Sequence, residues 1–367
     1  MKSGLSILDK EPFSLFQKEK EVLFFAEMKK AIAWHYENCP EFKKVCDNRI
    51  DVRGKFEIED VPYLPASIFK NFDLLSVPMD KIVKTLYSSS TSGKPSKILV
   101  DKITSDNQVL ALSKILADFL GKDRRYFIIF DSEKTIKSVD GELSSRGTAI
   151  RGMMPLAKKV FFVLDDDLNL DLGKINLALS EIKTSAKEKV CFFGFSWLLY
   201  NVYLKNNKNG EFTTALKKLF NKANIVLHIG GWKKLKDINI SKDNFNNDLA
   251  KMFLTDKSKV VDVYGMTEQL GVIYPDCEYG YKHAPLYSEI ITRDINTLKP
   301  SQIGETGFIQ LLSPLPHSYP GISVLSEDIG KVVGVDDCRC GRKGKYFVFE
   351  KRSEKAELKG CGDVLNI

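Results

Sequence analysis

The sequence predicts an α/β protein built on a mostly parallel sheet covered by helices, with a small β-rich part towards its C-terminal end. Three observations carry that expectation. Short apolar runs rich in β-branched and aromatic residues recur along the chain: YFIIF (126–130), VFFVL (160–164), VCFFGF (190–195), NIVLHIGG (224–231) and KVVDVYGMTE (259–268). Stretches with helical spacing lie between them, at residues 103–121 and 170–186. A parallel sheet needs both features, because its strands are buried on both faces and its crossovers are helical. From about residue 288 the texture changes to EIITRD, GFIQLL, GKVVGV and KYFVFE, separated by turns, which reads as an antiparallel β-rich part.

Taken in order, residues 11–47 read as helix, with Leu15, Phe16, Val22, Leu23, Phe25, Met28, Ile32 and Trp34 close to a 3.6-residue period. In VPYLPASIFK (61–70) two prolines bracket a short turn. Residues 81–102 read as strand, polar loop, strand. The expected division is an α/β core with an N-terminal helical segment over 1–287, a β-rich subdomain over 288–350 and a hinge-like tail over 351–367.

Composition narrows the function. At 43% apolar and 28% charged residues the chain is not disordered. Its net charge of +7 is scattered, which suits a solvated lysine face and predicts no nucleic-acid partner. No apolar run is long enough to span a membrane, and the N-terminus lacks the apolar stretch of a secretory signal, so a cytoplasmic location is expected. Seven cysteines, an odd count in a reducing compartment, predict no disulfide framework. Cys39, Cys46 and Cys191 sit in apolar surroundings and are expected in the core.

Three motifs carry chemistry. In SSSTSGKPSK (88–97), hydroxyls, Gly93 and two lysines lie between two strands. Backbone N–H groups, hydroxyls and an ammonium converging there suit a phosphate, or the segment is a serine-rich surface loop; neither common nucleotide fingerprint is present. YGMTE (264–268) places an aromatic ring, a hydroxyl and a carboxylate at a strand end, where Tyr264 could stack on a base, Thr267 meet phosphate and Glu268 hold Mg²⁺. GETGFI (304–309) is followed by SYPGISVLSEDIGKV (318–332), whose Asp328 is either a ribose ligand or a hairpin-turn acid.

In that order, these motifs resemble those of the adenylate-forming superfamily over about residues 60–367. VPYLPASIFK, FGF (193–195), GGWKK (230–234), SYPG and KGCG (359–362) resemble LuxE-type acyl-protein synthetases more closely, cousins of the phenylacetate–CoA ligases. The resemblance implies an adenylate-forming N-terminal domain whose C-terminal lid is missing. It implies activation of a carboxylic acid, of the fatty-acid class, as acyl-AMP with ATP and magnesium, then transfer of the acyl group to a thiol. An acyl-receiving reductase or transferase is the implied partner. Phosphate contacts are implied for Ser88, Ser89, Ser90, Thr91, Ser92, Gly93 and Lys94, adenine contacts near Gly230, Gly231 and Tyr264, phosphate and Mg²⁺ contacts for Thr267 and Glu268, and ribose contacts for Asp328. Two departures stand out. The family loop reads S-G-T-T-G where this chain has Ser90 in place of the first glycine, trading backbone freedom for a hydroxyl. The hinge-like stretch 351–363 is followed by only four residues, so the superfamily's lid lysine has no counterpart, leaving Lys94, Lys233 and Lys359 as candidates to assist adenylation.

Cys361, between two glycines and after Lys355 and Lys359, stands at the family's thioester position; nearby cations raise a thiol's ionised fraction. On residues alone it could equally be an incidental cysteine. Cys277, His283, Cys338 and Cys340 form a Cys₃His set that suits a closed structural zinc site, or two turns with reduced thiols. His228 either borders the acyl carboxylate or is a satisfied core histidine. Transfer to coenzyme A, acyl transfer in surface-polysaccharide synthesis, and a pure acyl-accepting module are the rival readings.

Overall fold

The structure, a computed structural model, describes residues 4–88, 94–137, 142–182, 188–219, 224–230 and 240–353. The elements in chain order are α1 (Gln17–Asn38), α2 (Pro40–Asp47), β1 (Leu64–Pro65), α3 (Ile68–Asn71), β2 (Ile82–Tyr87), β3 (Lys97–Asp101), α4 (Lys102–Leu120), β4 (Arg125–Phe130), β5 (Glu142–Leu143) and α5 (Ser145–Met153). They continue as β6 (Ala157–Phe162), α6 (Leu172–Glu181), β7 (Val190–Phe195), α7 (Ser196–Asn206), α8 (Gly210–Lys217), β8 (Ile225–Ile229), α9 (Lys242–Met252), β9 (Val260–Tyr264) and β10 (Tyr274–Pro275). The last strands are β11 (Lys282–His283), β12 (Glu289–Arg293), β13 (Gly307–Leu312), β14 (Ser323–Val335) and β15 (Lys345–Arg352).

The apolar runs form the central sheet, in the order β10-β9-β8-β7-β4-β6, parallel except for antiparallel β10. Alternate residues serve opposite faces. Phe127, Ile129, Cys191, Phe193, Leu227 and Val261 enter one core with α4 and α5, whereas Tyr126, Ile128, Phe130, Phe192, Val226 and Val260 enter another with α6 to α9. The parallel sheet covered on both faces is therefore as predicted, and Cys39, Cys46 and Cys191 are fully buried.

The N-terminal helical expectation needs correction. Residues 11–16 are not helical, and the rest is two helices, α1 and α2, divided at Cys39. The residue before a proline is sterically kept out of the α region, and proline is favoured as the first residue of a new helix; Pro40 does both. The helix starts at Gln17, where Glu19 turns back to accept from the Phe16 N–H at 3.1 Å.

The antiparallel part runs β11-β15-β14-β13-β12, with β1 added parallel to β14. It shares its cores with the rest: Ile309, Val332 and Phe347 join Phe127 and Leu227, while Ile291, Leu312 and Val324 join Phe24 and Phe42. β2 and β3 form an antiparallel hairpin around residues 88–96.

Candidate functional site

In an open parallel sheet, ligands bind outside the carboxyl ends of the strands. Tyr264 is the last residue of β9, so the YGMTE segment leaves the sheet there. Its hydroxyl donates to Asp328 Oδ2 at 2.8 Å. One face of its ring is covered by Phe349, stacked at 5.5 Å between centroids. Burial, then the neighbouring Asp328 charge, pushes the phenol well above its ordinary value, so it stays a neutral donor. Asp328 lies inside β14 and faces Arg352 of β15 in register, with the guanidinium Nε 3.5 Å from Oδ1. It is a strand residue, not a turn acid.

Glu268 follows on a short 3₁₀ turn, Thr267–Gln269, and is 6% exposed. Tyr319 donates to its carbonyl at 2.9 Å, and Gln269 Nε2 donates to the carbonyls of Leu311 and Gly321, both at 2.9 Å. A Cβ on Gly321 would stand 2.8 Å from the Glu268 carbonyl and closer still to the Tyr319 ring, so the SYPG turn can pack on this carboxylate's backbone only with glycine there. Burial raises the Glu268 pKa; the Ser96 hydroxyl, Arg352 and Lys70 act in the opposite direction. Ser96 Oγ, Gln108 Nε2 and Gln269 Oε1 are buried without a well-formed hydrogen bond. Thr267 is half-buried.

The hairpin carries the Ser/Thr loop and closes it at its base. The Ser88 N–H donates to the Ser96 carbonyl at 3.0 Å, and the Ser96 N–H to Ser88 Oγ at 2.8 Å. Ser88 thus has one lone pair engaged as a latch, and Lys94 is exposed. Ser89, Ser90, Thr91, Ser92, Gly93, Gly231, Lys233, Lys359 and Cys361 lie outside the described residues.

Gly230 directly follows β8 and lies in the left-handed region, at φ 96°. Its carbonyl accepts from Ser196 Oγ at 2.9 Å, and that oxygen lies 2.9 Å from His228 Nδ1. A hydroxyl has one proton, so Ser196 donates to Gly230 and accepts from His228. His228 is 2% exposed and burial lowers its pKa. Its Nδ1 supports the Gly230 turn through Ser196, while its Nε2 is buried without a hydrogen-bond partner among the described residues. His35 and His317 bond Ser76 and Asp101 respectively, each at 2.7 Å.

The Cys₃His set also converges. The ligand atoms of Cys277, His283, Cys338 and Cys340 all lie within 4.8 Å of one another, with Cys340 Sγ 3.2 Å from His283 Nε2 and Cys277 Sγ 4.0 Å from Cys338 Sγ. Tetrahedral zinc, with bonds of about 2.3 Å to sulfur and about 2.0 Å to nitrogen, places its ligands at such separations. Gly341, at φ 85°, closes the CRCG turn. Burial pushes the Cys277 thiol up to about 12, the direction that a bound cation would oppose. His283 Nδ1 is buried and unpaired.

Sequence reasoning missed Arg352 and Phe349, and gave no role of their own to Ser96 and Tyr319 inside the SSSTSGKPSK and SYPG motifs. Cross-strand register places Arg352, and the packing of the SYPG turn places Tyr319.

The family model described as acyl-protein synthetase, LuxE, matches residues 3–367. The chain is 24% identical over 351 residues to a long-chain-fatty-acid–luciferin-component ligase of Vibrio harveyi, covering 94% of this chain and 87% of that one. It is 25% identical over 330 residues to the ligase of the same name from Aliivibrio fischeri, covering 86% and 81%. Among solved structures, an open conformation of 2-hydroxyisobutyryl-CoA ligase in complex with 2-HIB-AMP and CoA superposes with a TM-score of 0.72 at 14% identity, covering 97% of this chain and 80% of that one. A postadenylation state of the same ligase superposes at 0.70, covering 92% and 68%. At these identities the likeness is one of fold.

Proposed function

This chain belongs to the LuxE family of acyl-protein synthetases, and from that premise we propose that it activates a carboxylic acid of the fatty-acid class with ATP, as acyl-AMP, and passes the acyl group to the Cys361 thiol. The observation that carries the reading is the meeting of motifs far apart in sequence: Tyr264 at the end of β9 bonds Asp328, and Glu268, on the 3₁₀ turn that follows, lies within reach of Ser96 at the base of the β2–β3 hairpin. Asp328 would take the ribose, Tyr264 and the Gly230–Gly231 turn the adenine, and Thr267 with Ser88–Lys94 the phosphates. Glu268 would hold Mg²⁺, which supplies charge neutralisation on the transferring phosphoryl group. Buried polar atoms around Glu268 that lack a well-formed hydrogen bond fit a site that is completed by a charged ligand.

We also propose a structural zinc at Cys277, His283, Cys338 and Cys340. Four protein ligands leave no open position for catalysis. The division into a core over 1–287, a β-rich subdomain over 288–350 and a tail over 351–367 belongs to the same proposal. So do a cytoplasmic setting and an acyl-receiving reductase or transferase as partner; no helix among the described residues is long and apolar enough to cross a membrane.

The test is covalent labelling of the full chain by a radioactive long-chain fatty acid with ATP and Mg²⁺. Hydroxylamine-labile label on the protein is expected, and Cys361→Ser should lose it, since a serine hydroxyl is a far weaker nucleophile at neutral pH than a partly ionised thiol. Undiminished labelling of that variant, or label that appears only on added coenzyme A, would overturn the assignment.

A further inference from the structure

The segment that carries Lys70 is tied to the candidate site from both sides. Before it, β1 pairs with β14 at Leu64↔Val324 and Pro65↔Leu325, and the Ala66 N–H donates to the Leu325 carbonyl at 2.9 Å; β14 is the strand that holds Asp328. After it, the Ser76 N–H donates to the Ser318 carbonyl at 2.8 Å, at the start of the SYPG turn. Between these ties, Phe69 is 2% exposed and packs edge-on against the Tyr319 ring at 6.0 Å, and Tyr319 in turn bonds the Glu268 carbonyl. A short helix, α3, thus leans on the residue that supports Glu268 and presents Lys70 next in sequence.

Lys70 is half-buried, yet among the described residues no carboxylate lies within ion-pair distance of it and no side chain accepts from it. Lysines removed from water normally have a partner. Its charge reaches the Glu268 carboxylate, as does that of Arg352, but Arg352 is engaged by Glu327 and Asp328. Neighbouring lysines are engaged as well: Lys97 pairs with Asp73 at 2.6 Å, and Lys84 donates to Ser105 at 3.0 Å.

Resting on the adenylating function proposed above, we propose that Lys70 is the resident cation for the β- and γ-phosphates of ATP and for the pyrophosphate that leaves. In the step, a carboxylate oxygen of the acid bonds to the α-phosphorus while the bond from that phosphorus to the α,β-bridging oxygen breaks. The electron pair stays on the bridging oxygen and departs with pyrophosphate. Lys70 remains an ammonium throughout; it offsets charge that grows on the leaving group and transfers no proton.

The test compares Lys70→Met and Lys70→Arg in the full chain. ATP and AMP affinities are measured by calorimetry with Mg²⁺ present, alongside acid-dependent exchange of radiolabelled pyrophosphate into ATP. Lys70→Met should weaken ATP binding about tenfold, leave AMP binding unchanged and slow exchange about 10²-fold, comparable to losing one fixed donor to a developing charge. Lys70→Arg should restore part of each. Unaltered ATP binding in Lys70→Met overturns the proposal, as does AMP binding that weakens in step with ATP, because that pattern reports damage to the fold. Absence of exchange in the wild-type chain would fail the functional reading alone, since the ATP-to-AMP comparison still decides the role of Lys70.

Discussion

Asp328 shows how a single position acquires its chemistry. Placed in mid-strand, it gains a neutral phenol donor from one side and a guanidinium from the facing strand, so its carboxylate is oriented before any ligand arrives. His35 shows the opposite case, a titratable group that burial keeps uncharged. Its ring is fully buried between Ser76 and the Pro316 carbonyl, and burial holds its pKa down to about 3. The unfolded chain takes up that proton near pH 6.5, so between about pH 6.5 and about pH 3 the unfolded state binds more protons and stability falls as pH falls, by up to about 1.4 kcal/mol per unit. Urea melts across that range should show a shallower pH slope for His35→Gln than for wild type. An unchanged slope would mean that His35 is protonated in the folded chain. Residue identity was legible in the sequence where the motif itself carries chemistry, as in YGMTE. It was not legible for Arg352, which matters because strand register sets it beside Asp328, nor for the particular role of Ser96, whose hydroxyl acts on Glu268.

Among the elements, the strands were legible because a buried parallel strand writes an uninterrupted apolar run, and RYFIIF is buried at every position. The N-terminal helix boundary was not, because apolar spacing runs through Pro40 even though the backbone cannot. The β2–β3 hairpin was read as strand, loop, strand, but the reciprocal Ser88–Ser96 bonds that close its loop leave no trace in composition. The two turns bearing Cys277–His283 and Cys338–Cys340 are brought together by the pairing of β11 with β15. Elemental analysis should find about one zinc per chain, lost in the double substitution Cys338→Ser and Cys340→Ser together with a fall in thermal stability. Metal-free wild-type protein of undiminished stability would contradict the site.

At the scale of the molecule, the parallel sheet and the antiparallel strands are joined by common cores, which hold β9 and β14 so that Tyr264 and Asp328 meet. On the proposed function, a carboxylic acid is adenylated where those strands come together, with Glu268 at the phosphate end. The most direct measurement is exchange of radiolabelled pyrophosphate into ATP, run over a panel of carboxylic acids with the wild-type chain and Glu268→Gln. Exchange that depends on an acid of the fatty-acid class is expected in the wild type, with a loss of about 10²-fold or more in a Glu268→Gln chain that keeps its wild-type melting behaviour. Wild-type exchange rates in that variant, or no exchange by the wild-type chain with any acid, would contradict it.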